Sequence, residues 1–149
     1  MKDTIDEKDK QILALLEEDS KLTSQKISRK TGLPITTVHN RIKKLEKEKI
    51  IKKYSLIIDK KKLGKIISAC IQVTVTYGHP QKKFSQEEIA RKIKALSGAE
   101  EVMIVTGGTD ILLKINVESI EALNDFIIKK LRNIDGVDKT NTMVILNEF

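Results

Sequence analysis

The sequence predicts an α+β protein in two parts: an N-terminal three-helix domain ending in a helix-turn-helix, and a C-terminal ferredoxin-like domain of order βαββαβ. Three observations carry this. The stretch from Thr23 to Lys49 reads as two helices joined by a glycine turn. The positive charge of the chain is gathered on that same stretch. From Ile66 onward the hydrophobic period changes to the alternation of strands, with helical stretches between them.

The first predicted helix runs from Ile5 to Leu16, with Asp6 suited to its cap and Asp9 in its first turn, where negative charge is favoured. Ile12, Leu15 and Leu16 give it an apolar stripe. Thr23 can cap a short second helix, Ser24 to Lys30, through its hydroxyl. Gly32 can take the positive φ found where helices end, and Pro34 suits the start of the next helix. That third helix carries Val38, Ile42 and Leu45 at i, i+4 and i+7, so they share one inward stripe. Thr36, Thr37, His39, Asn40, Lys43, Lys44 and Lys47 fall largely outside it. Short polar and cationic side chains on one exposed face suit a helix that enters a DNA major groove.

Within residues 21–53, nine lysines and two arginines oppose Glu46 and Glu48, a net charge of +9, while the whole chain is +7. The rest of the chain is therefore slightly acidic, and the cationic patch matches a phosphate backbone. The alternative is a lysine-rich, solvated helix pair. Thr36, Thr37 and Asn40 are candidates for base edges, and Lys43, Lys44 and Lys47 for sequence-independent attraction. His39 is either a phosphate contact or inert. Arg41 is either a DNA contact or a surface salt bridge with Glu46 or an acidic residue of the first helix.

At 149 residues, with 33% charged and 40% hydrophobic residues, the composition is that of one domain or two small ones, and not of a disordered chain. No apolar run is long enough to span a bilayer, and MKDTIDEKDK has no apolar signal region, so a cytoplasmic location and no membrane partner are expected. Cys70 is the single cysteine, and His39 and His79 are too few for a metal cage, so neither disulfide nor metal nor other cofactor is expected. Cys70 reads as a small core or interface residue. No nucleophile–base pair stands out, which argues against an enzyme. With 3% aromatic residues, a stacking platform for single strands is not supported.

Ile50 to Asp59 has the β-branched content of a strand, suited to pair with its counterpart from another subunit. The expected organisation is therefore a helix-turn-helix domain over 1–52, a strand and linker over 53–65 closing on DKKKLGK, and the second domain over 66–149. In that domain Ile66 to Thr76 alternates, with Ile67, Ala69, Ile71, Val73 and Val75 on one face. A loop follows over Tyr77 to Lys83, with Gly78 and Pro80. Ser85 and Glu88 form a capping-box pattern for a helix with stripe Ile89, Ile93, Leu96, ended by Gly98. Strands are expected over Glu101–Thr106, Asp110–Val117 and Val137–Leu146, with Gly107-Gly108 as a hairpin turn in which both residues tolerate positive φ. Ser119 caps a helix with Ile120, Leu123, Ile127 and Leu131 inward. Two helices on one face leave the other face open, carrying Cys70, Met103, Val105, Leu112, Met143 and Ile145. Such a face favours a homodimer.

IDEKDKQILALLEEDSK, ISRKTGLPITTVHNRIKKLEKEKIIKKY and VTGGTDILLKI together resemble the opening helix, the helix-turn-helix with its connecting strand, and the Gly-x-x-Asp hairpin of the Lrp/AsnC, or feast/famine, transcription regulators. The resemblance covers essentially the full length. It implies a sequence-specific regulator docking on double-stranded DNA and assembling as a homodimer or octamer. It also implies an effector, commonly an amino acid, bound between dimers near the glycine hairpin. On that basis Gly107, Gly108 and Asp110 are effector-site candidates, with Thr140 and Thr142 on the last strand. Asp110 would clamp an effector amine, or else cap the turn. This chain departs from the pattern in having Thr109 and Ile111 where members often carry aromatics, and Pro34 where many have Ser. Two alternatives remain at this level: an architectural DNA-binding protein with little sequence choice, or an amino-acid-sensing ferredoxin-like protein that does not bind DNA.

Overall fold

The computed structural model describes residues 5–77 and 84–148. Residues 78–83 of the expected loop, His79 among them, lie outside the described residues. The chain divides into two compact units, Met1–Ile57 and Ile58–Phe149.

The first unit has three helices: α1 (Glu7–Glu18), α2 (Ser24–Thr31) and α3 (Ile35–Lys47). Each starts where its sequence supplies a stop for the preceding chain. Asp6 and Asp9 form a reciprocal capping box at α1. The Thr23 hydroxyl accepts from the Lys26 N–H at α2, and Gly32 ends α2 in the left-handed region. Ile12, Leu16, Ile27 and Val38 meet in one core, with Leu15, Leu22, Leu33, Ile42 and Ile51 packed around it. No helix of 8–13 residues is stable alone in water, so this shared core is what makes the three persist.

Residues 50–59 form no strand. Leu56 and Ile57 are largely exposed there, and Tyr54 is half exposed, with its hydroxyl donating to Glu46 (2.8 Å). A strand needs a neighbour to receive its backbone hydrogen bonds, and a single chain supplies none at this position.

In the second unit a four-stranded antiparallel sheet has the order β2-β3-β1-β4, from β1 (Ile67–Val75), β2 (Ala99–Ile104), β3 (Ile111–Val117) and β4 (Val137–Val144). With α4 (Gln86–Lys94) and α5 (Ile120–Asp125) between strands, this is the ferredoxin-like βαββαβ order. β1 lies between β3 and β4, and Ala69, Ile71, Val73 and Val75 are buried. They meet Ile111, Leu113 and Ile115 of β3, Ile89 and Ile93 of α4, and Leu123, Phe126 and Leu131. The strand register places Cys70, Leu112, Met103 and Met143 on the opposite face. That face is mixed rather than oily: Lys114 pairs across from Cys70, and the Asn141 amide donates to Gln72 (3.0 Å).

Two local expectations fail. Ser85 sits at the start of α4, but its side chain makes no cap hydrogen bond. The helix after Ser119 is regular only through Asp125. Phe126–Lys130 then winds in wider π turns and Leu131–Asn133 in a 3-10 turn. Widening brings residues five apart onto one face. Phe126 and Leu131, five apart, are both buried, while Ile120, in the first turn of the regular helix, stays about half exposed and Ile127 only flanks the core. No helix among the described residues is long and apolar enough to cross a membrane.

Gly136 turns the chain into β4 at φ 94, and an added Cβ would stand 2.6 Å from Ile89 Cδ1 and 2.7 Å from Phe84 Cδ1. Gly136→Ala is expected to destabilise the second unit by about 1–3 kcal/mol. Gly108→Ala, with open space around its Cβ, should be close to neutral. Thermal melts of the two variants check the contrast.

Candidate nucleic-acid interface and hairpin site

Only three residues, Gly32 to Pro34, separate α2 from α3. Side chains pin this short turn. The Ser28 hydroxyl donates to the Leu33 carbonyl (2.6 Å), the Thr31 hydroxyl donates to the Ile27 carbonyl (2.9 Å), and the Leu33 N–H donates back to Thr31 Oγ1 (3.3 Å). The start of α3 has no side-chain cap, as Pro34 dictates. Its first N–H groups are therefore left without a side-chain acceptor, in a stretch with no acidic residue.

Val38 and Leu45 are buried, which turns the opposite side of α3 outward. Thr36, His39, Asn40, Lys43, Lys44 and Lys47 are exposed, and Thr37 and Arg41 are half-buried. Arg41 is engaged within the unit. Its Nη1 donates to Asp6 Oδ1 (2.8 Å) and to Asp9 Oδ1 (2.7 Å). Of the two roles open to it from sequence, the salt bridge to an acidic residue of the first helix is the one present in the folded chain. The hydrogen bonds it donates to Asp9 and then to Asp6 push the guanidinium pKa up. The Asp9 N–H, helped by Arg41 against some desolvation, holds the Asp6 carboxyl below its ordinary value.

The hairpin between β2 and β3 is wider than a two-residue turn, with the Val105 N–H donating to the Asp110 carbonyl (2.9 Å). Only Gly107 uses positive φ, at 116°; Gly108 does not, contrary to the expectation for both. Asp110 is the organising group. Its Oδ2 accepts from the Val75 N–H (2.7 Å), and its Oδ1 accepts from the Tyr77 hydroxyl (2.7 Å) and the Gln86 amide (2.8 Å). The Gln86 amide also donates to the Tyr77 hydroxyl, closing a ring of three side chains. Desolvation raises the Asp110 pKa, but the Tyr77, Val75 and Gln86 donors together outweigh it, and the net shift is downward. The Thr109 hydroxyl and Asp110 N–H both donate to the Val73 carbonyl (2.9 and 3.0 Å). Thr140 and Thr142 lie opposite Val73 and Ile71 on β4. With β1 between them and β3, they stand two strand spacings from the hairpin strand, about 10 Å. The Thr140 hydroxyl accepts from Arg132 Nε (3.0 Å). Gly107, Gly108 and Asp110 are thus grouped by the hairpin, and the two threonines are not grouped with them. Among the described residues no cluster of three or more His, Cys, Asp or Glu is placed to hold a metal.

Residues 68–149 match the family described as the Lrp/AsnC ligand binding domain, and residues 5–52 match a winged helix-turn-helix DNA-binding domain. The chain belongs to the Lrp/AsnC family. It is a DNA-binding transcription regulator and not an enzyme. It is 38% identical over 146 residues to the HTH-type transcriptional regulator FL11 of Pyrococcus horikoshii, covering 98% of this chain and 92% of that one. It is similar to the structure of Bacillus subtilis LrpC at 34% identity, with a TM-score of 0.83 and coverage of 98% and 97%. A transcriptional regulator of Neisseria meningitidis, solved as a complex with L-methionine, superposes with a TM-score of 0.89 at 25% identity, covering 97% of this chain and 92% of that one.

Several residues that shape this Lrp/AsnC regulator escaped the sequence reading. Tyr77 and Gln86 meet Asp110 from 33 and 24 positions away, and no spacing rule joins them. Ser28 and Thr31, by contrast, stand on the last turns of a helix beside a glycine, where local side-chain-to-backbone bonds are common.

Because the Asp110 carboxyl is held below its unfolded pKa, protons bind the unfolded chain first as pH falls. Its stabilising effect is present above the ordinary Asp range near pH 4 and is lost as pH drops through the lower folded value. Asp110→Asn is expected to cost about 1 kcal/mol at neutral pH. The gap from wild type should close in melts carried down toward pH 3.

Proposed function

We propose that this regulator reads double-stranded DNA as a homodimer. In this reading one α3 from each subunit enters the major groove, at half-sites one helical turn or a multiple, ~34–36 Å, apart. Thr36, Thr37 and Asn40 face base edges, and Lys43, Lys44 and Lys47, with His39, face phosphates. The observation that carries this is the two-sidedness of α3: Val38 and Leu45 are buried, and a face of short polar and lysine side chains is left in water. The uncovered face of the second unit, with Met103 and Met143 each more than two-fifths exposed, supports pairing of subunits there, and further association up to an octamer is part of the proposal.

An amino acid is the proposed effector, at the hairpin of Gly107, Gly108 and Asp110 and with Thr140 and Thr142 as outlying candidates. The methionine complex of the Neisseria relative supports the ligand class. The open space around Gly107 and Gly108 supports the place, since nothing lies within 4 Å of a Cβ at either. An effector would act by favouring one assembly over another.

Selection of bound duplexes from a random pool, with and without an amino-acid mixture, tests both parts. A recurrent palindromic site is expected, with occupancy that changes when the mixture is added. A pool that stays random would favour an architectural role. Replacing Lys43, Lys44 and Lys47 together with Ala should weaken binding to every duplex and flatten its dependence on salt by up to about 0.9 log units per lost phosphate contact in each subunit. Asn40→Ala should instead change which sequence is selected.

A further inference from the structure

We infer that Arg41, although it lies in the middle of the DNA-reading helix, is a positioning residue that sets sequence choice from behind and is not itself a phosphate ligand. The argument starts from charge. One guanidinium faces two carboxylates, Asp6 at 2.8 Å and Asp9 at 2.7 Å, so these three bonded groups together carry a net negative charge. An approaching phosphate gains nothing from a cation already outnumbered. The Arg41 side chain is one-quarter exposed and the Asp9 side chain 7%. Pulling the guanidinium out toward DNA would leave a nearly buried carboxylate without its counter-charge, which burial strongly disfavours. Lys43 and Lys47 have no such tether among the ion pairs of the described residues.

Geometry then says what the cluster does instead. Asp6 and Asp9 are the capping box of α1: the Asp9 N–H donates to Asp6 Oδ1 (2.9 Å) and the Asp6 N–H to Asp9 Oδ2 (3.2 Å). The acceptors that Arg41 uses are therefore fixed by backbone and do not swing with a free side chain. Thr37 and Asn40, with Lys44, line the same shallow cavity as Asp6, Asp9 and Arg41. Apolar contacts of Val38 and Ile42 resist separation of α3 from its neighbours, but they tolerate small sliding and rolling, because dispersion is non-directional. Hydrogen bonds from one guanidinium nitrogen to two fixed carboxylates are directional. They lock the roll of α3 about its axis, and hence the direction in which Thr37 and Asn40 point. The acidic opening of the chain and the basic helix thus form one device. The carboxylates take no part in attracting DNA; they aim the helix that does.

The test is equilibrium binding of the full-length protein by fluorescence anisotropy. The probes are the duplex recovered by selection and a scrambled duplex, each over a series of salt concentrations. For Arg41→Ala we expect the ratio of selected to scrambled affinity to fall by about tenfold, the scale of one mismatched base pair. The slope of log K against log salt on scrambled DNA should stay as in wild type. Asp9→Asn keeps the capping acceptor and the shape, and guards against a variant that fails to fold. It should lower the same ratio without changing the slope, and Asp9→Asn combined with Arg41→Ala should lose no more than Arg41→Ala alone. Three results would overturn the inference. One is a slope reduced by about 0.9 or more in Arg41→Ala, the signature of a lost phosphate contact. Another is an Asp9→Asn protein that binds all DNA more tightly with a steeper slope, because a released Arg41 had become a ligand. The third is an unchanged selectivity ratio in both single variants.

Discussion

The first unit depends on the burial of one apolar stripe. Val38 and Leu45 leave water on one side of α3, and the covalent geometry of a helix obliges the residues opposite to remain in it. Each side chain of this size contributes roughly 1.5–3 kcal/mol on burial. An exposed pair such as Lys44–Glu48, at 3.9 Å, contributes at most about 1 kcal/mol. The oily side therefore decides how the helix lies, and the charged side follows. This is why a helix carrying Lys43, Lys44 and Lys47 on one side can be held in one place and still offer those charges to a polyanion.

The second unit is organised by β1. It is one of the two central strands, its alternate residues make the centre of the core, and its far end supplies what the hairpin is built on. The Val73 carbonyl receives two donors from the hairpin, and the Val75 N–H serves Asp110. The glycine hairpin is therefore no loose tip. It is tied to a central strand of the sheet through Asp110, whose carboxylate also gathers Tyr77 and the first residue of α4. Any ligand seated at the hairpin would meet an Asp110 carboxylate that already has three donors, and would have to share it or displace Tyr77 or Gln86.

The two units solve a similar problem differently. In the first, a fixed electrostatic cluster at Asp6, Asp9 and Arg41 supplements a small core. In the second, a larger core carries the fold, and polar groups collect at its rim. Burial grows with domain size, and a three-helix unit of under 60 residues has little apolar area in reserve. Directional polar ties are correspondingly more valuable there.

The sequence by itself determined the class of the fold and the outward face of α3. Periods of 3.6 and 2, interrupted by Asp6, Thr23, Gly32 and Ser119, fix which residues can share a side, because both depend only on local backbone geometry. The tertiary structure alone decided which polar groups meet. Arg41 lies 32 and 35 residues from its two carboxylates, and Tyr77 lies 33 from Asp110. Encounters at such range depend on how elements pack, and several partners of equal charge were available to each. The same holds where local rules were overruled. The helix after Ser119 widens into π turns from Phe126, and Phe126 and Leu131 are buried while Ile120, in its first turn, stays half exposed. Residues 50–59 form no strand, because a strand needs a second stretch of backbone to pair with.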